Sequence, residues 1–186
     1  MGLTRNISSI NLIVIHCSAS PNGRRNTAAD IDQWHAERGF KRSAPTGGST
    51  VLHHIGYHYV GLVGGPVDAG RGPEEVGDVA GLNARSLGYC MVGTDAFDLR
   101  QWDSLHGFVV TIAKTLSIAR GRSVPGFRRF TTSEALQAYS DIGIRVVGHR
   151  DCPKVYKTCP GFSVADWIDG GMHPLPGHIQ PLGEHE

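Results

Sequence analysis

In the segment GHRDCPKVYKTCPGF, residues 148–162, a histidine and a cysteine stand ten positions apart, His149 and Cys159. His149 closes an apolar run that reads as a strand. Cys159 lies in a proline-bounded loop, with Lys157 two residues before it. A side chain fixed at a strand end and another on a returning loop can meet at one point, and zinc accepts both imidazole and thiolate ligands. A catalytic zinc takes about three protein ligands and keeps one position for water. The third ligand must come from elsewhere in the chain. His16, at the end of the apolar run INLIVIHC, is well placed for it. Spacing alone leaves alternatives open. A strand-end histidine is commonly an ordinary hydrogen-bonded residue. Cys152 and Cys159 could instead form a disulfide or share a structural zinc, although their spacing matches neither a zinc ribbon nor a finger.

The elements that would position these residues follow from the hydrophobic pattern. Residues 10–17 are apolar on both faces, as in a central strand covered on both sides. Side chains alternate along a strand, so His16 and Cys17 point to opposite faces. Residues 27–38 predict a helix, with Asn26 as its cap, Gly39 as its stop, and Ile31 and Trp34 on its buried side. Residues 41–54, KRSAPTGGSTVLHH, form a loop. Strand-like runs follow at 55–60, 66–71 and 87–93, with a polar, glycine-rich loop over 70–86. Asp98 and Gln101 have the spacing of a capping box. Behind them the longest helix spans roughly 99–120, with Leu105, Phe108, Val109, Ile112, Ala113, Leu116 and Ala119 at helical spacing. A basic loop at 121–132, a short helix near 133–140, a strand at 144–151 ending at His149, and a short helix at 163–169 capped by Ser163 complete the pattern. Strands and helices alternate, which predicts an α/β fold: a single domain with a central mixed β-sheet flanked by helices. The domain is expected over 1–170, and 171–186 as a flexible C-terminal tail.

Bulk properties narrow the function. The chain has 186 residues, enough for one domain with a full core. Its formal net charge is +1, and it shows no basic stripe, which argues against nucleic acid as a partner. No apolar stretch is long enough to span a bilayer. The N-terminal run INLIVI is shorter than the apolar core of a signal peptide and ends directly in His-Cys. Cys17 and Cys90 sit in apolar runs and read as buried core thiols.

Six motifs occur in order: HCSAS at 16–20, GYHYV at 56–60, VDAGR at 67–71, LNARSLGYCMVG at 82–93, GHRD at 148–151 and KTCPGF at 157–162. Together they resemble the type-2 N-acetylmuramoyl-L-alanine amidase family, which includes small phage endolysins and is related to the peptidoglycan recognition proteins. The resemblance runs from about residue 10 to 168. It implies His16, His149 and Cys159 as ligands of a zinc ion, and Tyr57 and Lys157 as catalytic residues. It implies hydrolysis of the amide between N-acetylmuramic acid and L-alanine. That chemistry is consistent with the residues: zinc polarises a carbonyl and makes water a nucleophile near neutrality, and a cation or hydrogen-bond donor stabilises the oxyanion. Read without the family, Tyr57 is a half-buried strand aromatic and Lys157 a solvated loop charge.

The chain departs from the family in its loops. Where relatives often carry a histidine after VDAGR, this chain reads VGDVAGLN, with Asp78 and Val79. The loop 41–54 is longer than in the smallest members and is a candidate wall of the substrate groove; His53 and His54 lie in it. The loop 121–132 brings three arginines, Arg122, Arg128 and Arg129, that read as solvated surface. Cys152 lies outside the family pattern and is expected as a free thiol. The functional expectation is a phage or prophage endolysin, made in the bacterial cytoplasm without a signal peptide and reaching the wall after holin-mediated release. Its substrate is peptidoglycan or a muropeptide, and it acts as a monomer with no membrane anchor. The competing readings are a cytoplasmic wall-recycling amidase and a peptidoglycan-binding module without catalysis. Non-catalytic members typically lose the ligand cysteine, which Cys159 preserves here.

Overall fold

Strand β1 (Leu12–Cys17) is buried at every position, so it needs cover on both faces, and the sheet supplies it. This is a computed structural model, and it describes residues 4–42, 45–77, 79–122, 141 and 143–181. The other elements are α1 (Ala28–Glu37), β2 (Tyr59–Gly61), β3 (Val67–Ala69), β4 (Ser86–Met91), α2 (Leu99–Ala119), β5 (Arg145–Gly148) and α3 (Val164–Asp169). The strands form one sheet in the order β3-β2-β4-β1-β5. β1 pairs in parallel with β4 and β5, β2 pairs in parallel with β4, and only β3 runs antiparallel, so the sheet is mixed as expected.

Alternation along β1 divides the core. Ile13, Ile15 and Cys17 join Leu87, Tyr89 and Met91 beneath α2 and α3, whose Trp102, Leu105, Val109, Leu116 and Trp167 complete that layer. On the opposite face, Val60, Cys90 and Val92 pack with Ala28 and Ile31 of α1, and with Leu52 and Ile55. Leu12 and Val14 pack with Val79 and Cys152. The departure at Val79 is therefore a core contact. Asp78 lies outside the described residues.

Helix α1 starts one residue later than the Asn26 cap predicted. Thr27 is the cap: its hydroxyl accepts from Asp30 N at 3.3 Å, and the Asp30 carboxylate accepts from Thr27 N at 2.7 Å. That reciprocal pair satisfies two helix-end donors, whereas a cap at Asn26 would put Ala29, with no acceptor side chain, at the third helical position. Gly39, at φ +77°, ends the helix as expected, with Gly39 N bonded to Ala36 O and Phe40 N to His35 O. Trp34 is only half-buried, and His35 takes the inner position instead. Asp98 and Gln101 form the predicted capping box, and Ser163 caps α3. At the far end of α2, Ala119 is exposed, while Trp102 and Gln101 are buried.

The strand expected over 55–60 begins only at Tyr59, and that over 144–151 stops at Gly148; His149–Asp151 form a 3-10 turn. The helix near 133–140 and most of the loop 121–132 lie outside the described residues. Of the segment expected as a loose tail, residues 171–181 are packed. Met172 is buried, Phe97 exchanges backbone hydrogen bonds with His178 and Gln180, and Trp102 Nε1 donates to His178 O at 3.2 Å. Residues 182–186 lie outside the described residues. No described helix is long and apolar enough to cross a membrane.

Candidate metal centre

Register brings the two histidines together. β1 and β5 are parallel neighbours, with Ile15 opposite Gly148. One step further along both chains stand His16 and His149, and parallel partners in register share a face. Their rings lie 4.5 Å apart, centroid to centroid. His16 is buried and His149 half-buried. The strand end at His149 is tightly set. Gly148 N donates to Asp151 Oδ2 at 2.9 Å, and a Cβ at Gly148 would stand 3.0 Å from both that oxygen and Pro160 Cδ.

The loop after β5 returns Cys159 to the same rim. Cys159 Sγ lies 3.9 Å from His16 Nδ1 and accepts from Cys17 N at 3.3 Å. His16, His149 and Cys159 each offer a donor atom, all within 4.8 Å of one another, and this is the one such group among the described residues. Tetrahedral zinc at ordinary Zn–N and Zn–S lengths sets N and S about 3.5 Å apart. The His16 Nδ1–Cys159 Sγ distance of 3.9 Å is a few tenths of an ångström longer than that, the three donors lie within 4.8 Å, and imidazole and thiolate are the ligand types zinc takes, so the residues fit the metal. Neither His53 nor His54 belongs to the group. His54 is engaged in the fold, through its Nδ1 to Phe40 O and its N–H to Asp32 Oδ1, both 2.7 Å.

Cys17 is a participant that its sequence position hides. Its side chain is buried in the layer under α2, yet β1 ends there and the returning Cys159 crosses its end. The Cys159 sulfur lies 3.3 Å from Cys17 N and 4.0 Å from Cys17 O. The neighbouring Cys159 lowers the Cys17 thiol to about 7, and Cys17, together with burial, pushes Cys159 up. Physically, the pair gives up its first proton easily and its second with difficulty. The Cys17 backbone N–H favours negative charge on Cys159 sulfur, the state a metal ligand requires. All four cysteines are free, so Cys152 and Cys159 form no disulfide; Cys152 is a free thiol as expected, and Cys17 and Cys90 are buried ones as expected.

Tyr57 flanks the group, its ring 4.9 Å from that of His16. Burial, and then the neighbouring cysteines, push its hydroxyl well above the ordinary tyrosine value, so it is a neutral donor at physiological pH. Its backbone is held by Arg71 N, which donates to Tyr57 O at 2.9 Å. His35 of α1 packs on the same ring at 5.2 Å and accepts from Gly56 N at 3.0 Å through Nδ1. Burial, reinforced by Arg38, lowers His35 to about 4, so it stays neutral with its proton on Nε2. Lys157 is exposed, and its ammonium has no hydrogen-bond or ion-pair partner among the described residues.

A two-histidine, one-cysteine donor set on the C-terminal rim of parallel strands, under helices on both faces, makes this an α/β protein with a candidate metal site. Residues 6–162 match the N-acetylmuramoyl-L-alanine amidase family, and the chain belongs to it. It is 34% identical over 113 residues to the endolysin of Escherichia phage T7, covering 56% of this chain and 67% of that one. Among solved structures, it shares its fold with the amidase LysCS from Clostridium intestinale, at a TM-score of 0.56 and 20% identity, covering 90% of this chain and 86% of that one. It shares it equally with Apis mellifera PGRP-SA, at a TM-score of 0.56 and 16% identity, covering 90% and 86%. The fold is thus shared with a peptidoglycan recognition protein as well as with an amidase.

Proposed function

We propose that this chain hydrolyses the amide bond between the lactyl group of N-acetylmuramic acid and L-alanine in peptidoglycan, using zinc held by His16, His149 and Cys159. The observation that carries this reading is the convergence of the three donor atoms within 4.8 Å in a member of this amidase family. A bound zinc supplies Lewis acidity and a water nucleophile near neutral pH. The protein's own groups do the rest. The Cys17 N–H supports the charge on Cys159 sulfur. Tyr57, protonated and beside His16, donates a hydrogen bond to the reacting carbonyl or to the attacking water. Lys157 brings a free ammonium to the oxyanion that develops when the amide carbonyl is attacked. In the cell the protein acts as a monomeric phage or prophage endolysin, reaching the wall after holin-mediated release.

The test is loss of turbidity of purified peptidoglycan, with and without a chelator, for the wild type and Cys159→Ala. Zinc-dependent clearing that generates new L-alanine amino termini supports the reading. Clearing by Cys159→Ala in chelator, or release of reducing sugars without new amino termini, overturns it.

A further inference from the structure

We propose that Arg150 is a positioning residue for the metal site, stapling the ligand loop 149–159 so that Cys159 sulfur meets the two histidines; the inference rests on reading these three as the metal ligands. Arg150 follows His149 directly, and it grips the other end of the loop three times. Its backbone N–H donates to Cys159 O at 2.8 Å. Its Nε donates to Thr158 O at 3.0 Å, and its Nη2 donates to the same oxygen.

Elsewhere the loop is anchored at Cys152 and Val155, which pack with Leu12 and Val14, and at the sulfur itself, where Cys17 N donates at 3.3 Å. Among the described residues, however, its Lys157–Thr158 stretch meets the β5 end only through Arg150. Asp151, Pro153, Lys154, Tyr156, Lys157 and Thr158 are exposed. The loop's own backbone bonds, Cys152 N to His149 O and Val155 N to Cys152 O, lie in its first half. In the second half Gly161 N bonds Thr158 O at 2.7 Å, which shapes the exit of the loop without tying it to β5. The backbone N–H of Arg150 ties Cys159 to the end of β5 whatever side chain stands there, and the guanidinium adds charge-assisted bonds on the carbonyl next to the ligand, the part of the tie that substitution removes. The two histidines need no such tie, because strand ends already hold them. Arg150 therefore acts on one ligand of three, the sulfur. The same carbonyl lies between Lys157 and Cys159, so the staple also sets the direction in which the lysine leaves the loop.

Zinc affinity measured by competition with a chromogenic chelator tests this, together with cobalt substitution, in which sulfur ligation gives a thiolate-to-metal charge-transfer band. Arg150→Ala is expected to bind zinc ~10–100-fold more weakly, the usual cost of losing a group that orients a ligand. Its charge-transfer band per bound cobalt should fall, while the histidine-supported ligand-field bands persist. Arg150→Lys, with one point donor in place of a fork, should fall between the two. An Arg150→Ala protein that melts lower yet binds zinc and shows the charge-transfer band as the wild type does would overturn the proposal. Should Arg150→Ala fail to fold, Arg150→Lys decides alone: wild-type affinity and band intensity overturn the proposal, and a partial loss of both supports it. A wild type that binds no zinc removes the metal reading itself, and this inference with it.

Discussion

Arg42 and Arg150 each clamp a loop, and they do so for opposite ends. In the loop 41–54, Arg42 is fully buried and pairs with Glu75, Nε to Oε2 and Nη2 to Oε1, both at 2.7 Å. Its remaining donors take the carbonyls of Gly47, Ser49 and Leu52. Glu75 accepts further from Gly72 N and Thr46 N. Charge meets charge there, out of water, with all five guanidinium protons donated and both carboxylate oxygens accepting. In the loop 149–159, Arg150 is half-buried and grips only carbonyl oxygens. The difference lies in what each clamp leaves available. The first closes on itself and stabilises the fold; the second holds donor atoms in place while they remain turned to a common point.

That contrast predicts which changes move activity and which move stability. The largest effect is Cys159→Ala. Activity should fall further than the ~10–100-fold typical of an outer partner, with loss of bound zinc and little change in the melting of the metal-free protein. Equal metal content in mutant and wild type would break the distinction between the loops.

Next comes Glu75→Ala. It leaves Arg42 buried without its counter-ion, which costs about 3–5 kcal/mol in denaturant unfolding. The pH dependence follows from the carboxylate. Burial pushes the Glu75 carboxyl up, but the hydrogen bond from Arg42, with those from Gly72 and Thr46, outweighs it, so its value lies below the ordinary one. A depressed folded value contributes stability above the unfolded glutamate value of ~4.3, lost as pH falls through the folded value. The gap between wild type and Glu75→Gln should therefore narrow below pH ~4; a constant gap would show that the ionised pair contributes nothing.

Lys157→Met and Tyr57→Phe should each lower turnover by roughly 10²-fold, the scale of one oxyanion donor, with zinc affinity and unfolding unchanged. A shift in zinc affinity for either would place that side chain with the ligands and not with the substrate. The smallest effect is Thr27→Ala, which removes the cap of α1 and costs about 1 kcal/mol in stability without touching turnover at saturating zinc.

Much of this was legible in the chain. The apolar run at 10–17 announced a covered strand, and periodicity located α2 almost to its ends. Ordered motifs marked His16, His149 and Cys159. What stayed hidden involved backbone partners or crossings between distant segments. Thr27 displaced Asn26 as a cap because a hydroxyl and a carboxylate could exchange bonds. Nothing in the order of letters says that Cys17, pointing away from His16 along the strand, would meet Cys159 at the strand's end. Residues 171–181 lack periodicity, and they gain order from distant partners, Phe97, Trp102 and Asp95 among them.

The sequence by itself determined the donor types and the strands that carry them, because alternation and hydrophobic runs are local properties. Only the tertiary structure decided that His16 and His149 are neighbours, because parallel register aligns residues 133 apart in the chain. It also decided that Cys159 faces them, because that depends on which carbonyls an arginine finds when the loop closes.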